Sequence, residues 1–336
     1  MSRISILGAG TWGCALSILL TGNGHDVTIW TKIEQEARYL NENRKNMKNL
    51  PGAQLPDQVK IILDLEEACT DKDVIVMAVA SPYIRQTAAA AKPFIKEGQI
   101  IVNVSKGIED GSLKTLSQVI KDEIPQGDIA VLSGPSHAEE VSRGIPTTIV
   151  VGAESKETAH FIQDTFMSEV FRVYTSPDII GIELGGSLKN VIALSAGIVD
   201  GLGYGDNTKA ALMTRGMAEI SRLGLKMGGK LETFAGLSGI GDLFVTCTSK
   251  HSRNWNAGNL MGKGLSMEEA MKEVNQVVEG VNSASAALSL AKKYEVEMPI
   301  VEQINMVLFE GKSPYDAASD LLMRDKRIEY HTLEWD

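Results

Sequence analysis

Apolar residues change their spacing near the middle of the chain, and the change predicts two architectures in succession. Ile4, Ile6 and Leu7 read as a short buried strand, Gly8-x-Gly10-x-x-Gly13 follows, and residues 15–20 have the composition of a helix. Further short apolar runs at 26–30, 59–63, 73–79, 100–104 and 129–132 predict five more strands, and the alanine-rich 86–91 belongs to a helix among them. The run at 73–79 has no polar interruption from Val74 to Val79, which indicates burial on both faces. Residues 41–56 are polar and contain Pro and Gly, so they read as loop. Segments 147–151 and 170–174, with a helix at 155–166 between them, extend the sheet.

From Pro177 the pattern becomes helical. The helix at 182–199 carries Leu184, Leu188, Val191, Ile192, Ser195 and Ile198 on a core-facing stripe. The adjoining stripe around Lys189 holds only small residues, Gly185, Gly186, Ala193 and Ala196. Each internal glycine costs a helix about 1 kcal/mol relative to alanine, so the stripe points to close approach by a ligand or by another backbone. Plain helix packing, with Lys189 snorkelling outward, explains it equally well. A second helix spans 207–225, 236–256 reads as irregular, and Ser266-x-x-Glu269 is a capping box. Pro299 and Ser313-Pro314 mark two more helix starts, and the last ten residues read as a tail. The expected fold is an α/β Rossmann-type domain with an extended parallel sheet at residues 1–177, then an all-α domain at 178–336.

Composition changes this picture little. With 336 residues, 43% hydrophobic and 23% charged, the chain can bury a sizeable core and is long enough for two domains. A net charge of -10 argues against nucleic-acid binding, so any phosphate must be held by a few local cations. Cys14, Cys69 and Cys247 lie far apart and match neither a metal site nor a disulfide framework, which suggests a reducing cytoplasm. No signal segment or membrane span is expected, since no apolar run nears the ~18 residues a span needs.

The chemistry centres on the glycine loop. Gly8 permits a tight turn, Gly10 lets a pyrophosphate approach, Gly13 allows close helix–strand packing, and the helix start attracts the anion. At the end of the second strand, where NAD-binding proteins usually place an acid on the ribose, the chain runs into Thr31 and Lys32. A cation there favours NADP(H), with NAD(H) open; Lys32 also reads as a solvated loop lysine. Lys106 follows the fifth strand, where ligands bind in open α/β sheets, though lysines in that position are often solvated. Ser136 can cap a helix or bond an anion. His137 reads as a surface or capping histidine because nothing in the sequence pairs it with an acid. Asp242 and Ser252-Arg253-Asn254 offer a carboxylate and a phosphate grip, or a loop whose arginine pairs a surface acid. Glu279 can reach a cofactor or sit solvated between helices.

Several long stretches together closely resemble the bacterial-type NAD(P)-dependent glycerol-3-phosphate dehydrogenases. They are GAGTWGCALS at 8–17, NVSKGIE at 103–109, LSGPSHAEEV at 132–141, LKNVIA at 188–193, GLSGIGDLFVTC at 236–247 and HSRNWN at 251–256. The resemblance implies hydride transfer between sn-glycerol 3-phosphate and dihydroxyacetone phosphate, at the entry to glycerophospholipid synthesis. It implies cofactor contacts at Thr11, Trp12, Lys32, Lys106, Ala138, Arg253, Val277 and Glu279. Substrate contacts fall on Lys106, Gly134, Ser136, Lys189, Asp242, Ser252, Arg253 and Asn254, with Lys189 as general acid/base.

Ketone reduction leaves an alkoxide, so an ammonium must stabilise the charge and donate a proton. Lys106 would favour deprotonation of Lys189, and Asp242 would oppose it; the sequence does not fix the balance. The expected partner is a small molecule, with no metal, and the expected assembly is a homodimer. A two-domain 3-hydroxyacid or ketopantoate-type reductase, or a dinucleotide sensor without turnover, are the alternatives.

Overall fold

In the computed structural model, residues 1–46, 50, 52–326 and 328–329 are described. β1 (Arg3–Leu7), α1 (Thr11–Gly22), β2 (Asp26–Trp30), α2 (Glu34–Asn43) and β3 (Lys60–Ile62) open the chain. α3 (Leu65–Cys69), β4 (Val74–Met77), α4 (Ile84–Ala91), β5 (Ile100–Asn103), α5 (Leu116–Glu123) and β6 (Asp128–Ser133) continue the alternation. α6 (Ala138–Val141), β7 (Thr147–Ala153), α7 (Lys156–Phe166) and β8 (Phe171–Ser176) complete the sheet. Its strand order is β3-β2-β1-β4-β5-β6-β7-β8. The chain therefore crosses over between β1 and β4, the switch point at whose carboxyl ends such sheets bind ligands.

The sheet is not wholly parallel: β7 runs antiparallel to β6. The segment joining them carries only the four-residue α6, whereas a parallel return usually needs a crossover helix. The central strands β1 and β4 are buried on both faces, and β8 at the edge alternates buried with exposed positions over Phe171–Tyr174. One prediction fails near the start. α2 occupies part of what reads as loop; its buried face is only Ala37 and Leu40, too weak a stripe to stand out in a polar segment.

The helical part comprises α8 (Ile179–Gly201), α9 (Asp206–Lys226), α10 (Leu231–Phe234), α11 (Asp242–Thr248) and α12 (Arg253–Gly262). α13 (Met267–Val274), α14 (Glu279–Lys293), α15 (Pro299–Phe309) and α16 (Pro314–Leu322) follow. Its core gathers Leu184, Leu188, Val191, Ile192, Leu223 and Phe234, among others. The capping box of Ser266 and Glu269 starts α13 as the sequence predicts. Residues 236–256 are not irregular: they hold a π-helical turn over Leu237–Gly241, then α11 and the start of α12. Of the expected C-terminal tail, 327 and 330–336 lie outside the described residues.

α8 corrects the expectation that no segment is long and apolar enough to cross a membrane. It has 23 residues and passes on length and composition, but 89% of its apolar stretch is buried inside the protein. It is the central strut of the helical domain, packed on α9, α11, α12 and α14.

Glycines let α12 lie directly on α8. A Cβ added to Gly197 would stand 2.1 Å from the Trp255 carbonyl oxygen, and one on Gly258 2.0 Å from that of Leu194. Both obstacles are helix backbone, so the helices must separate to admit a methyl group. Gly258→Ala is expected to cost about 1–3 kcal/mol by overpacking, read as a lowered midpoint in thermal unfolding. An unchanged midpoint would contradict this account of the crossing.

Candidate active site

The β1–α1 turn is built by its glycines. Gly8 has φ +124°, and a Cβ there would come within 2.7 Å of Ala78; one on Gly13 would sit 2.1 Å from the Gly8 carbonyl oxygen. Gly10 is different, since a Cβ would meet nothing within 4 Å among the described residues, and it faces a cavity of about 600 Å³. Gly10 also stands at the N-cap of α1 without a side-chain cap. The first N–H groups of α1 lack intrahelical partners, so the turn fits a dinucleotide pyrophosphate. Thr11, Trp12, Ala138, Val277 and Glu279 line the same cavity.

Two lysines and one aspartate form its chemical centre. β5 delivers Lys106, whose Nζ donates to Asp242 Oδ2 at 2.7 Å and to the Gly134 carbonyl at 3.1 Å. From α8, Lys189 Nζ donates to Asp242 Oδ1 at 2.5 Å and to Thr246 Oγ1 at 2.5 Å. Asp242 is 1% exposed and Lys189 5%, so one buried carboxylate holds both ammonium groups side by side. Lys106 and Lys189 reach the cavity while Asp242 stands behind them, which makes it a positioning residue. Burial pushes the Lys189 pKa down to about 8; the Asp242 charge opposes the shift and the Lys106 charge adds to it. Lys189 does not snorkel outward.

The small stripe beside Lys189 serves close packing, against backbone and against a neighbouring lysine stem, with Lys189 itself turned inward. Gly185 lies against backbone, with a Cβ position 2.5 Å from the Ser238 carbonyl oxygen. A Cβ on Gly186 would press 2.8 Å on Ser133 Oγ and 3.5 Å on the Lys106 stem, so Gly186 makes room for that lysine. The Lys106 segment is braced from α8 as well. Ser187 Oγ donates to the Gly107 carbonyl at 3.0 Å, and the Glu183 carboxylate accepts from Asn103 Nδ2 at 3.1 Å and Ser117 N at 2.8 Å.

At the other side of the lysines, Ser252, Arg253 and Asn254 line the cavity where α12 begins. Ser252 is the N-cap, and its Oγ accepts from Trp255 N at 3.2 Å. The Asn254 amide is engaged within the protein: Nδ2 donates to Asn190 Oδ1 at 3.0 Å, and Oδ1 accepts from Gly280 N at 2.8 Å. Arg253, exposed at the first position of α12, brings a positive charge to this end. Ser136 does not cap α6; His137 holds the N-cap position, and Ser136 Oγ donates to the Gly134 carbonyl at 2.9 Å. Gly134, at φ +145°, thus contributes its carbonyl as a shared acceptor and does not itself line the cavity.

Other expectations are revised. His137 holds the N-cap position of α6 through its backbone only and is not a surface residue: it lines the cavity, its Nε2 is buried without a partner among the described residues, and burial lowers its pKa. Glu279 is not a solvated loop residue; it opens α14, and its carboxylate accepts from Ser81 Oγ at 2.7 Å at the end of β4. Burial pushes its pKa up. Lys32 is exposed and outside the cavity wall. Sequence reasoning overlooks Glu36, Asn190 and Thr246, all of which line the cavity. Thr246 had a signal, since a helix starting at Asp242 puts residue i+4 on the same face.

The family models for the NAD-dependent glycerol-3-phosphate dehydrogenase N-terminus and C-terminus match residues 3–159 and 178–319. Glycerol-3-phosphate dehydrogenase [NAD(P)+] of Agathobacter rectalis is 58% identical, with 100% of each chain covered. That of Fusobacterium nucleatum is 56% identical over 98% of this chain and 99% of its own. Among solved structures, glycerol-3-phosphate dehydrogenase from Coxiella burnetii superposes with a TM-score of 0.93 at 36% identity, covering 96% of this chain and 99% of the other.

Proposed function

The chain belongs to the NAD-dependent glycerol-3-phosphate dehydrogenase family, and from that premise we propose which of its groups carry the reaction. It is an NAD(P)-dependent oxidoreductase interconverting sn-glycerol 3-phosphate and dihydroxyacetone phosphate, a reaction that feeds lipid metabolism. Residues 1–177 bind the dinucleotide, and 178–336 supply most of the substrate site. Gly10, Thr11 and Trp12 hold the pyrophosphate end, and Ala138, Val277 and Glu279 the remainder. A bound nicotinamide dinucleotide supplies or accepts the hydride.

Lys189 moves the proton: as an ammonium it donates to the developing alkoxide, and as an amine it takes the proton of the alcohol. Lys106 adds positive charge at the same oxygen. Asp242 keeps the two Nζ atoms together. The substrate phosphate lies on Arg253 and the start of α12, where Ser252 and Asn254 fix the backbone and Ser136 closes the side by Gly134. The observation that supports this reading is Asp242 bridging Lys106 and Lys189 in a cavity that also presents Arg253.

The pH dependence tests it. With the Lys189 pKa lowered to about 8, the ammonium predominates below that pH and the amine above it. Turnover in ketone reduction is expected to fall as pH rises through this value, and turnover in alcohol oxidation to rise. An oxidation rate independent of pH between about 7 and 9.5 would remove Lys189 from proton transfer.

Cofactor choice within the class turns on Lys32, which favours a 2′-phosphate and hence NADP(H), against Glu36, which opposes one. Three buried free thiols support a cytoplasmic setting. Exposed Leu231, Ile240 and Phe244 on the helical domain support a homodimer, which a monomeric mass in sedimentation equilibrium would refute.

A further inference from the structure

At the end of β2, the charged side chain that faces the cavity is a carboxylate. Thr31 extends the sheet by one more bond, its N–H donating to the Ile62 carbonyl at 3.2 Å. Its hydroxyl donates to Glu36 Oε2 at 2.5 Å and accepts from Ile33 N at 3.2 Å. Glu36 is thereby folded back from the first turn of α2 over the end of β2. It lines the cavity with Gly10, Thr11 and Trp12, whereas Lys32 is exposed and points elsewhere than the cavity wall. Burial pushes the Cys14 thiol in α1 up to about 11, partly offset by an Asn46 hydrogen bond, and the Glu36 charge raises it further.

We propose that Glu36 selects the cofactor, accepting a hydrogen bond from the 2′-hydroxyl of the adenosine ribose and repelling a 2′-phosphate, so that NAD(H) is preferred. This rests on the reading that the cavity holds the dinucleotide with its pyrophosphate at the start of α1. With the pyrophosphate there, the ribose lies at the end of β2, where dinucleotide-binding folds place an acid. Here the acid comes from the following helix, five residues beyond Thr31, and Thr31 fixes one of its oxygens, leaving the other for the ribose. A 2′-phosphate would bring up to two negative charges against that carboxylate, while Lys32 sits on the solvent side.

The test compares kcat/KM for NADH and NADPH at saturating dihydroxyacetone phosphate in the wild type, Glu36→Ser and Glu36→Gln. The wild type is expected to favour NADH by about tenfold or more, and both variants to shift the ratio toward NADPH by about tenfold, through KM rather than kcat. Titration of each cofactor against the intrinsic tryptophan fluorescence of the protein without substrate should show the same ratios in Kd. A wild type that prefers NADPH, or a Glu36→Ser ratio within about twofold of wild type, overturns the proposal. Absence of ketone turnover with both cofactors would instead count against the residue roles, and the titration would still decide the role of Glu36.

Discussion

Lys189→Met is expected to lower kcat for dihydroxyacetone phosphate reduction by on the order of 10³, with little change in KM. Methionine keeps an unbranched chain in the same buried place but has no proton to give. The fold should survive, because Asp242 keeps its 2.7 Å bond to Lys106 and is not left as an uncompensated buried charge. Lys189→Arg should not restore turnover: a guanidinium holds its proton at any working pH, and its planar fork does not fit where Asp242 and Thr246 both take one Nζ at 2.5 Å. Thermal unfolding of the variants separates a chemical loss from a structural one. Turnover of a folded Lys189→Met enzyme within about tenfold of wild type would remove the assignment.

Arg253→Ala should act on the other side of the ledger between binding and chemistry. A charge-assisted contact to phosphate contributes about 1.5–3 kcal/mol, so KM for the phosphorylated ketone should rise by roughly 10–100-fold, with a smaller loss in kcat. The change sits at the first position of α12, where no intrahelical N–H bond depends on the side chain, so stability should hardly move. Arg253→Lys keeps the charge without the bidentate fork and should recover part of the affinity. The discriminating control is unphosphorylated dihydroxyacetone, whose weak turnover should be insensitive to Arg253. Equal losses for both ketones would mean that Arg253 holds the cofactor or the helix and not the phosphate.

Where local pattern and tertiary role agree, the sequence is legible. Ile4 to Gly13 reads as strand, turn and helix because one short stretch contains every constraint: burial, positive φ at Gly8 and close packing at Gly13. Ser266 and Glu269 announce a helix start for the same reason. Legibility fails where glycine density carries two meanings. Between 236 and 256 it reads as loop, yet Gly239 lets a helical turn fold back onto the end of α10, as a Cβ there would stand 2.0 Å from the Phe234 carbonyl oxygen. With that segment unread as helix, Thr246 could not be placed one turn beyond Asp242. Lys189 was legible as an anomaly among small residues, but its burial depends on Asp242, 53 positions away. Glu36 fails for a different reason, since the strand-end rule stops at Lys32 while the carboxylate returns from the next helix.

The most direct measurement follows NADH and, separately, NADPH oxidation on adding dihydroxyacetone phosphate, with unphosphorylated dihydroxyacetone alongside. Rapid oxidation with the phosphorylated ketone, and rates lower by at least about tenfold with the unphosphorylated one, are expected if Arg253 anchors a phosphate beside Lys189. No oxidation with either cofactor, or equal rates for the two ketones, would contradict it.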